Sequence, residues 1–321
     1  MKSGKMLVWA VLAAALSLGC ASAYAAPAYP RKPINIVVPF GAGGGQTVLA
    51  RAVAASAKLS KPMVVTNVPG GGGAIGAMEV YHNAPDGYTV LCSTPENVAA
   101  GAINGTYAIP TAWKDFVKVA SVGGDAMIVL ASKASGLRSL DDVKKRAAAE
   151  PGKISICGVT SKSYTHAVVK RMLDDLKLDL HWIPYDGEAA SRTAVMGGHV
   201  DLVVFGVSAA HPAIDSGDAF PICVLSAKRS SFYPDVPTIN ELTGLNYDFT
   251  IYRAYFLPPK TPKAIADTLA AALKECVDDP KFKATMDGLY YETAYMGPEE
   301  LEKFIAFRVE ETEKMFKAFD E

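Results

Sequence analysis

The feature of this sequence that most restricts its fold is a regular alternation of apolar strands and helices, punctuated by glycine-rich turns. Strands are predicted at Ile34–Phe40, Met63–Asn67 and Tyr88–Ser93, with helices at Thr47–Leu59 and Ala74–Asn83 between them. Parallel strands need a crossover connection, which is usually a helix. This β-α-β-α-β order therefore predicts an α/β fold with a parallel sheet covered by helices.

A second unit of the same kind follows in the chain. Strands are predicted at Ile154–Cys157, Leu180–Ile183 and Leu202–Phe205, and helices at Tyr164–Leu176 and Glu188–Met196. Two successive α/β units predict two lobes, each a mixed sheet flanked by helices.

The boundaries of the lobes are predicted from the segments that join the two units. The run from Val117 to Ala131 is expected to carry the chain into the second lobe, and Phe220–Ala227 to carry it back. This assigns residues 29–121 and 229–321 to the first lobe and residues 122–228 to the second. The C-terminal helix, which opens at Pro298, is expected to pack on the first lobe.

The first 25 residues have the organisation of an export signal. Lys2 and Lys5 precede an unbroken apolar and small-residue run, Met6–Leu18. This run is shorter than the ~20 residues that span a bilayer. Small residues follow, with A-x-A sites that end at Ala23 and Ala25. We therefore predict a signal peptide that is cleaved near one of these two alanines.

Cysteine usage bears on both export and stability. A lipoprotein signal at Cys20 is the alternative, which is disfavoured because Ser17 stands where such signals have a bulky aliphatic residue. Export would permit disulfides, but the remaining cysteines stand in apolar surroundings and are predicted to be buried free thiols. These cysteines are Cys92, Cys157, Cys223 and Cys276.

The charge balance restricts the class of partner. The formal net charge is -1 over the whole chain, so no basic excess favours nucleic acid or a membrane surface. A small anionic ligand would have to be held by local donors.

The first candidate site is the turn Gly41–Thr47, which follows the first predicted strand. Its glycines permit positive φ and expose N–H groups. Thr47 is a predicted cap, and the helix start that follows favours an anion. Gln46 stands where the third glycine of a dinucleotide pattern belongs, and the lysine of a P-loop is missing. We predict an anion cradle, with a plain tight turn as the alternative.

A second glycine run matches the dinucleotide pattern formally. Gly71, Gly73 and Gly76 satisfy G-x-G-x-x-G between a predicted strand and a predicted helix. A run of four glycines satisfies many such patterns by chance, and an exported protein rarely meets NAD. We predict no cofactor.

The third candidate site is a group of hydroxyls at a predicted helix start. Thr160, Ser161 and Ser163 lie between the strand that ends at Cys157 and the helix that follows. Simple capping of the helix needs only one of these hydroxyls, so the two others indicate a second anion site. We expect this loop and the turn Gly41–Thr47 to face one shared cavity.

Motifs for catalysis are missing from the sequence. There is no G-x-S-x-G elbow and no H-E-x-x-H pair, and the five histidines are scattered. We predict a non-enzymatic protein without a metal site.

Several segments, taken in order, resemble the Bug receptors, the periplasmic solute-binding proteins of tripartite tricarboxylate transporters. The resemblance runs from about Tyr29 to the C-terminus. The segments that carry it are Tyr29–Ile34, Val37–Phe40, Leu49–Arg51, Asn67–Gly73, Ala84–Thr89, Tyr185–Gly187, Gly197–Asp201, Ser226–Arg229 and Pro234–Thr238.

The resemblance implies a Venus-flytrap fold, in which two lobes close around a ligand at a hinge. It implies a monomeric periplasmic receptor that captures a small mono- or dicarboxylate, aliphatic or aromatic, and delivers it to inner-membrane transporter subunits. The family contacts carried over fall on Phe40, Gly43, Gly44, Gly45, Gln46, Thr47, Ser93, Thr94, Thr160, Ser161, Ser163, Tyr185, Gly187, Glu188 and Phe205.

Three positions bear on which ligand is recognised. Thr47 replaces an aspartate that many family members have, which weakens the case for recognition of an amino group. Glu188 stands where a small or neutral residue is usual, so it either caps its helix or faces a cationic or protonated ligand group. Arg253 is either a second carboxylate partner or an exposed side chain.

Two other functions remain open from the sequence. One is an orphan receptor of the same fold that signals to a membrane sensor kinase. The other is an exported enzyme, whose turnover would be lost on Thr47→Ala and Ser161→Ala.

Overall fold

A computed structural model describes residues 29–317. The predicted signal peptide and Cys20 lie outside the described residues. The strands are β1 (Ile34–Val38), β2 (Met63–Asn67), β3 (Thr89–Ser93), β4 (Val117–Ser132), β5 (Ser155–Gly158), β6 (His181–Pro184), β7 (Leu202–Gly206), β8 (Ala219–Val224), β9 (Thr250–Leu257) and β10 (Glu292–Met296). The helices are α1 (Gly45–Ser56), α2 (Ala74–Tyr81), α3 (Pro95–Ile103), α4 (Ala112–Asp115), α5 (Leu140–Ala149), α6 (Tyr164–Leu176), α7 (Glu188–Met196), α8 (Val207–Asp215), α9 (Ile239–Thr243), α10 (Lys263–Asp278), α11 (Pro280–Gly288) and α12 (Pro298–Lys317), with a short 3-10 turn at Gly71–Gly73.

Strand β4 belongs to both lobes and joins their sheets. Its first part, to Ala126, pairs antiparallel with β9 and β10, and its second part, from Met127, pairs antiparallel with β7 and β8. The strand order is β2-β1-β3-β9-β4-β7-β5-β6, with parallel pairing within β2-β1-β3 and within β7-β5-β6. Each lobe is therefore a mixed sheet, as predicted.

The central strands are mostly apolar because helices cover both faces of each sheet. In β1, Ile34, Ile36 and Val38 pack into one core, while Val37 packs into another on the opposite face. All four side chains are fully buried, and burial of each contributes about 1.5–3 kcal/mol. A strand buried on one face alone would alternate apolar and polar residues.

The chain returns to the first lobe later than Phe220–Ala227. Strand β8 pairs with the second part of β4, and Tyr247 and Phe249 are buried in a core with strands of the second lobe. Strand β9 is the next strand of the first sheet. We therefore propose a lobe boundary near Thr250 in place of residue 229. The apolar run indicated a strand but could not indicate its sheet.

The C-terminal helix contacts both lobes. Ile305 of α12 lies in a core with α2 and α3, whereas Met315 lies in a core of the second lobe. The guanidinium of Arg308, 3% exposed, donates to the carbonyls of Asp248 and Thr250 at 3.1 and 3.2 Å. The helix thus fixes the point where the chain enters β9. Neither α12 nor any other helix in residues 29–317 has the length and apolarity to cross a bilayer.

The cysteines agree with the prediction of free thiols. All four in the described chain are buried and unpaired. Burial raises the pKa of Cys92, Cys157 and Cys223 to about 12, so these thiols are protonated packing groups at neutral pH.

Candidate ligand-binding site

A cavity of about 50 Å³ lies between the lobes, where the turn after β1 meets the starts of α3 and α7. Its lining includes seven predicted contact residues, from both lobes. They are Phe40, Gly44, Gln46, Thr47, Thr94, Gly187 and Glu188. One cavity therefore receives the glycine turn of the first lobe and a helix start of the second.

Helix α1 begins at Gly45, before the predicted start at Thr47. Its N-cap, Gly44, has extended dihedral angles and gives no side-chain hydrogen bond to the first turn. Thr47 lies inside the helix, where its hydroxyl donates to the Gly41 carbonyl at 3.3 Å and accepts from the Asn67 amide at 2.7 Å. Thr47 therefore fixes the turn instead of capping the helix.

The cap of α1 comes from the other lobe. Glu188 is the first residue of α7, and its Oε2 atom accepts the Gly45 N–H at 3.0 Å. The carboxylate is thus close to the N-termini of two helices, α1 and its own, and both favour negative charge. Gly187, the N-cap of α7, has φ of 102°, a conformation that glycine adopts without strain.

Arg253 pairs with two carboxylates beside the cavity. It is 2% exposed on β9, and its Nη2 atom lies 3.3 Å from Asp125 Oδ2 and 3.5 Å from Glu188 Oε1. Asp125 in turn accepts the Ser208 N–H at 3.1 Å and the Ser208 hydroxyl at 2.6 Å. Asp125 therefore caps α8 as Glu188 caps α1, and Arg253 joins the two caps.

The buried charges perturb one another. Burial raises the pKa of Asp125 to about 7, although Arg253 and the Ser208 hydrogen bonds oppose this shift, and Glu188 adds to it. Burial opposes the charge of Arg253, but Tyr291, Glu188 and Asp125 together raise the pKa of the guanidinium above its ordinary value. The guanidinium is therefore permanently charged and holds two carboxylates in place.

The second predicted anion site is placed elsewhere. Ser161 and Ser163 line a smaller neighbouring cavity together with Asn97 and Asn104. An added Cβ on Gly72 of the first lobe would lie 3.2 Å from the Thr160 hydroxyl oxygen. The loop thus contacts the first lobe beside the main cavity. The residues that flank the three hydroxyls, which are Val159, Tyr164 and Thr165, line the main cavity. In this structure the three hydroxyl residues do not line the cavity of the Gly41–Thr47 turn.

Ser163 has a structural role in this loop. It is the N-cap of α6, and its hydroxyl oxygen accepts the His166 N–H at 3.2 Å. We expect Ser163→Ala to lower the free energy of unfolding by about 1 kcal/mol, because one helix N–H loses its acceptor. Chemical denaturation measures this change.

Ser161→Ala is the matched control, since Ser161 is exposed and a surface change usually stays within about 0.5 kcal/mol. Neither variant should weaken ligand binding more than about threefold. A tenfold loss on Ser161→Ala would restore the predicted anion site.

Three other predicted contacts lie outside the cavity lining. Phe205 is 2% exposed and packs in a core of the second lobe with Val203 and Cys157. Ser93 is buried at the end of β3, and Tyr185 packs partly against the same core as Phe205. Phe205 therefore belongs to the packed interior of its lobe, which the end of a strand alone could not indicate. Gly43, with φ of 88°, and Gly45 shape the turn without lining the cavity.

The cavity also contains residues outside the list of predicted contacts. For Arg253 the sequence left open a carboxylate partner or an exposed side chain, and the structure places it buried beside carboxylates of the protein, since a charged residue inside an apolar strand needs a buried partner. Asp125, in the apolar run of β4, is that partner. Further lining residues are Gly41, Asn97, Val159, Tyr164, Thr165, Asp186, Ala189 and Ile251.

Two sheets that share one long strand, with a cavity enclosed between them, define the class of two-lobed solute-binding proteins. Residues 49–320 match the family model described as tripartite tricarboxylate transporter family receptor. BugT of Bordetella pertussis is 31% identical over 251 residues, which cover 77% of this chain and 77% of that protein. The chain therefore belongs to the tripartite tricarboxylate transporter receptor family, as a receptor of the Bug type.

Solved structures agree with this assignment. The periplasmic binding protein BugD superposes with a TM-score of 0.82 at 29% identity, covering 90% of this chain and 98% of its own. MatC from Rhodopseudomonas palustris, solved with bound malate, gives 0.82 at 25% identity and covers 89% of this chain and 99% of its own. These relatives are binding proteins, and the two-lobed fold predicted from the sequence is confirmed.

Proposed function

We propose that this protein binds a small organic carboxylate between its lobes and delivers it to the membrane subunits of a tripartite tricarboxylate-type transporter. It does so in the periplasm, after removal of the predicted signal peptide, and it releases the ligand chemically unchanged. The malate bound by MatC is a carboxylate of this class.

One observation carries the proposal: helix starts and neutral donors from both lobes converge on one cavity. The N-caps of α1 and α7 are glycines that give no side-chain hydrogen bond, and at the start of α1 the Gly45 N–H is bound by Glu188 of the other lobe. Helix N-termini of this kind favour anions, and donors contributed by two lobes bind most tightly when the cleft closes. The neutral donors Asn97, Tyr164 and Thr165 line the same cavity.

The test is a screen of the mature protein against organic acids. We expect one carboxylate class to raise the melting temperature, because a ligand at 100 times its Kd adds about 2.7 kcal/mol to the stability. Isothermal titration then gives the Kd. Asn97→Ala should weaken binding at least about tenfold. Glu79→Ala, at an exposed position on α2, is the control and should not.

The outcome that contradicts the proposal is no response to any mono- or dicarboxylate, aliphatic or aromatic. Mass spectrometry of the ligand after long incubation tests the absence of turnover. Uptake of the hit acid by cells, lost on deletion of the receptor and restored by the wild-type chain, tests the transport role against a sensor role.

A further inference from the structure

The Glu188 carboxylate occupies the place where the start of α1 would meet an anionic ligand group. It accepts the Gly45 N–H through Oε2 and lies beside Nη2 of Arg253 through Oε1, at 3.0 and 3.5 Å. Only 14% of its side chain is exposed. The protein itself thus supplies a carboxylate to the donors that a ligand would otherwise use.

The charges that line the cavity leave no cation for a second carboxylate. Within the described chain, the lining contains one cation, Arg253, and two carboxylates, Asp186 and Glu188. Arg253 is also paired with Asp125 behind the lining. A dicarboxylate would bring two further negative charges into a partly buried space, where like charges repel strongly.

The cavity also offers neutral donors to one ligand carboxylate. The Tyr164 hydroxyl is buried and has no hydrogen-bond partner among residues 29–317. Asn97 and Thr165 line the same space, and their side chains can donate as well. One anionic group can therefore be bound without a further cation.

We infer that Glu188 determines specificity by taking the place of one ligand carboxylate. The cavity then accepts a monocarboxylate that carries an N–H donor group, ammonium or amide, and rejects a dicarboxylate. The N–H donor forms a charge-assisted hydrogen bond with Glu188, whereas a second carboxylate meets its like charge. This inference rests on the proposed carboxylate-binding function.

The test compares diacids with matched compounds in which one carboxylate is replaced. The probes are succinate, succinamate and 3-aminopropanoate, then glutarate, glutaramate and 4-aminobutanoate, then adipate, adipamate and 5-aminopentanoate. For wild type we expect the monoamide or amino acid of the best skeleton to bind at least about tenfold more tightly than its diacid. Glu188→Gln should reverse this order, because it removes the charge and keeps the size. Glu79→Gln, with the same charge change away from the cavity, should leave the order unchanged.

The outcomes separate the inference from the proposed function. If no carboxylate binds wild type or Glu188→Gln in the probe series or in the wider acid screen, the proposed function fails. The inference alone is overturned if wild type binds a diacid as tightly as its monoamide. It is equally overturned if Glu188→Gln weakens every probe to the same extent, since Glu188 would then only hold the lobes together.

Discussion

Replacing Arg253 with methionine is expected to lower the free energy of unfolding by about 3–5 kcal/mol. The side chain is 2% exposed and forms ion pairs with both Asp125 and Glu188. Methionine fills similar space but leaves two carboxylates uncompensated in a buried site. Denaturation by urea at pH 8, with the slope of the transition unchanged, measures the loss.

The pH dependence of this loss identifies its cause. The pKa of Asp125 is already raised to about 7 by burial, and removal of Arg253 raises it further. At pH 5 Asp125 is then protonated in the folded variant, so its charge no longer destabilises the fold. The loss should therefore be smaller at pH 5 than at pH 8, because stability falls as the pH rises through the folded-state pKa.

Two variants make the expectation falsifiable. Arg229→Met removes an exposed arginine that lies 3.0 Å from Glu241 and should cost no more than about 1 kcal/mol. Asp125→Asn in the Arg253→Met background should recover part of the loss, since it removes one unpaired charge. A loss below about 1 kcal/mol for Arg253→Met would show that the buried triad is not held by this cation.

Local patterns predicted the elements of this fold well, because their causes are local. Helices Tyr164–Leu176 and Glu188–Met196 and strand Met63–Asn67 have the predicted bounds. These bounds depend on apolar periodicity and on the residues that begin and end each element, and both act over short stretches of sequence. The start of α1 was missed because its cap, Glu188, is 143 residues away in the chain.

The site could be predicted only in part, since its charged residues are distant in the sequence and are brought together by the tertiary fold. Arg253 and Asp125 are 128 residues apart and approach each other through the β4–β9 register, which places Arg253 opposite Gly123. Sequence motifs do not reveal which residues of two strands lie opposite each other. The hydroxyls of Thr160 and Ser161 lie outside the cavity lining for the converse reason. The residue types in this loop suit an anion, but the direction in which a loop faces depends on what it packs against.

Replacing Gly45 with alanine is expected to prevent full closure of the cleft. A Cβ at this position would lie 2.4 Å from the Tyr291 hydroxyl oxygen, 2.7 Å from Ser208 Oγ and 3.2 Å from Glu188 Oε2. Ser208 and Glu188 belong to the second lobe, so the added methyl forces the lobes apart. Alanine is otherwise the better helix former, so the loss of closure would come from these contacts alone.

The size of this effect follows from the cost of overpacking. A cost of about 1–3 kcal/mol in the closed state corresponds to a ~5- to 150-fold loss of ligand affinity. Isothermal titration measures the affinity, and small-angle scattering with saturating ligand measures closure, which should be incomplete. Tyr291→Phe in the Gly45→Ala background should recover part of the loss, since it removes the closest atom.

A glycine away from the cleft provides the matched control. Gly288 is exposed at the end of α11, and an added Cβ would meet no atom within 4 Å, so Gly288→Ala should change the affinity by less than about threefold. The two variants add the same methyl group to a helical glycine, and only the one at Gly45 meets atoms of the second lobe at short distance. If Gly45→Ala bound ligand as tightly as Gly288→Ala, the ligand-bound receptor would not contain the Gly45–Glu188 contact.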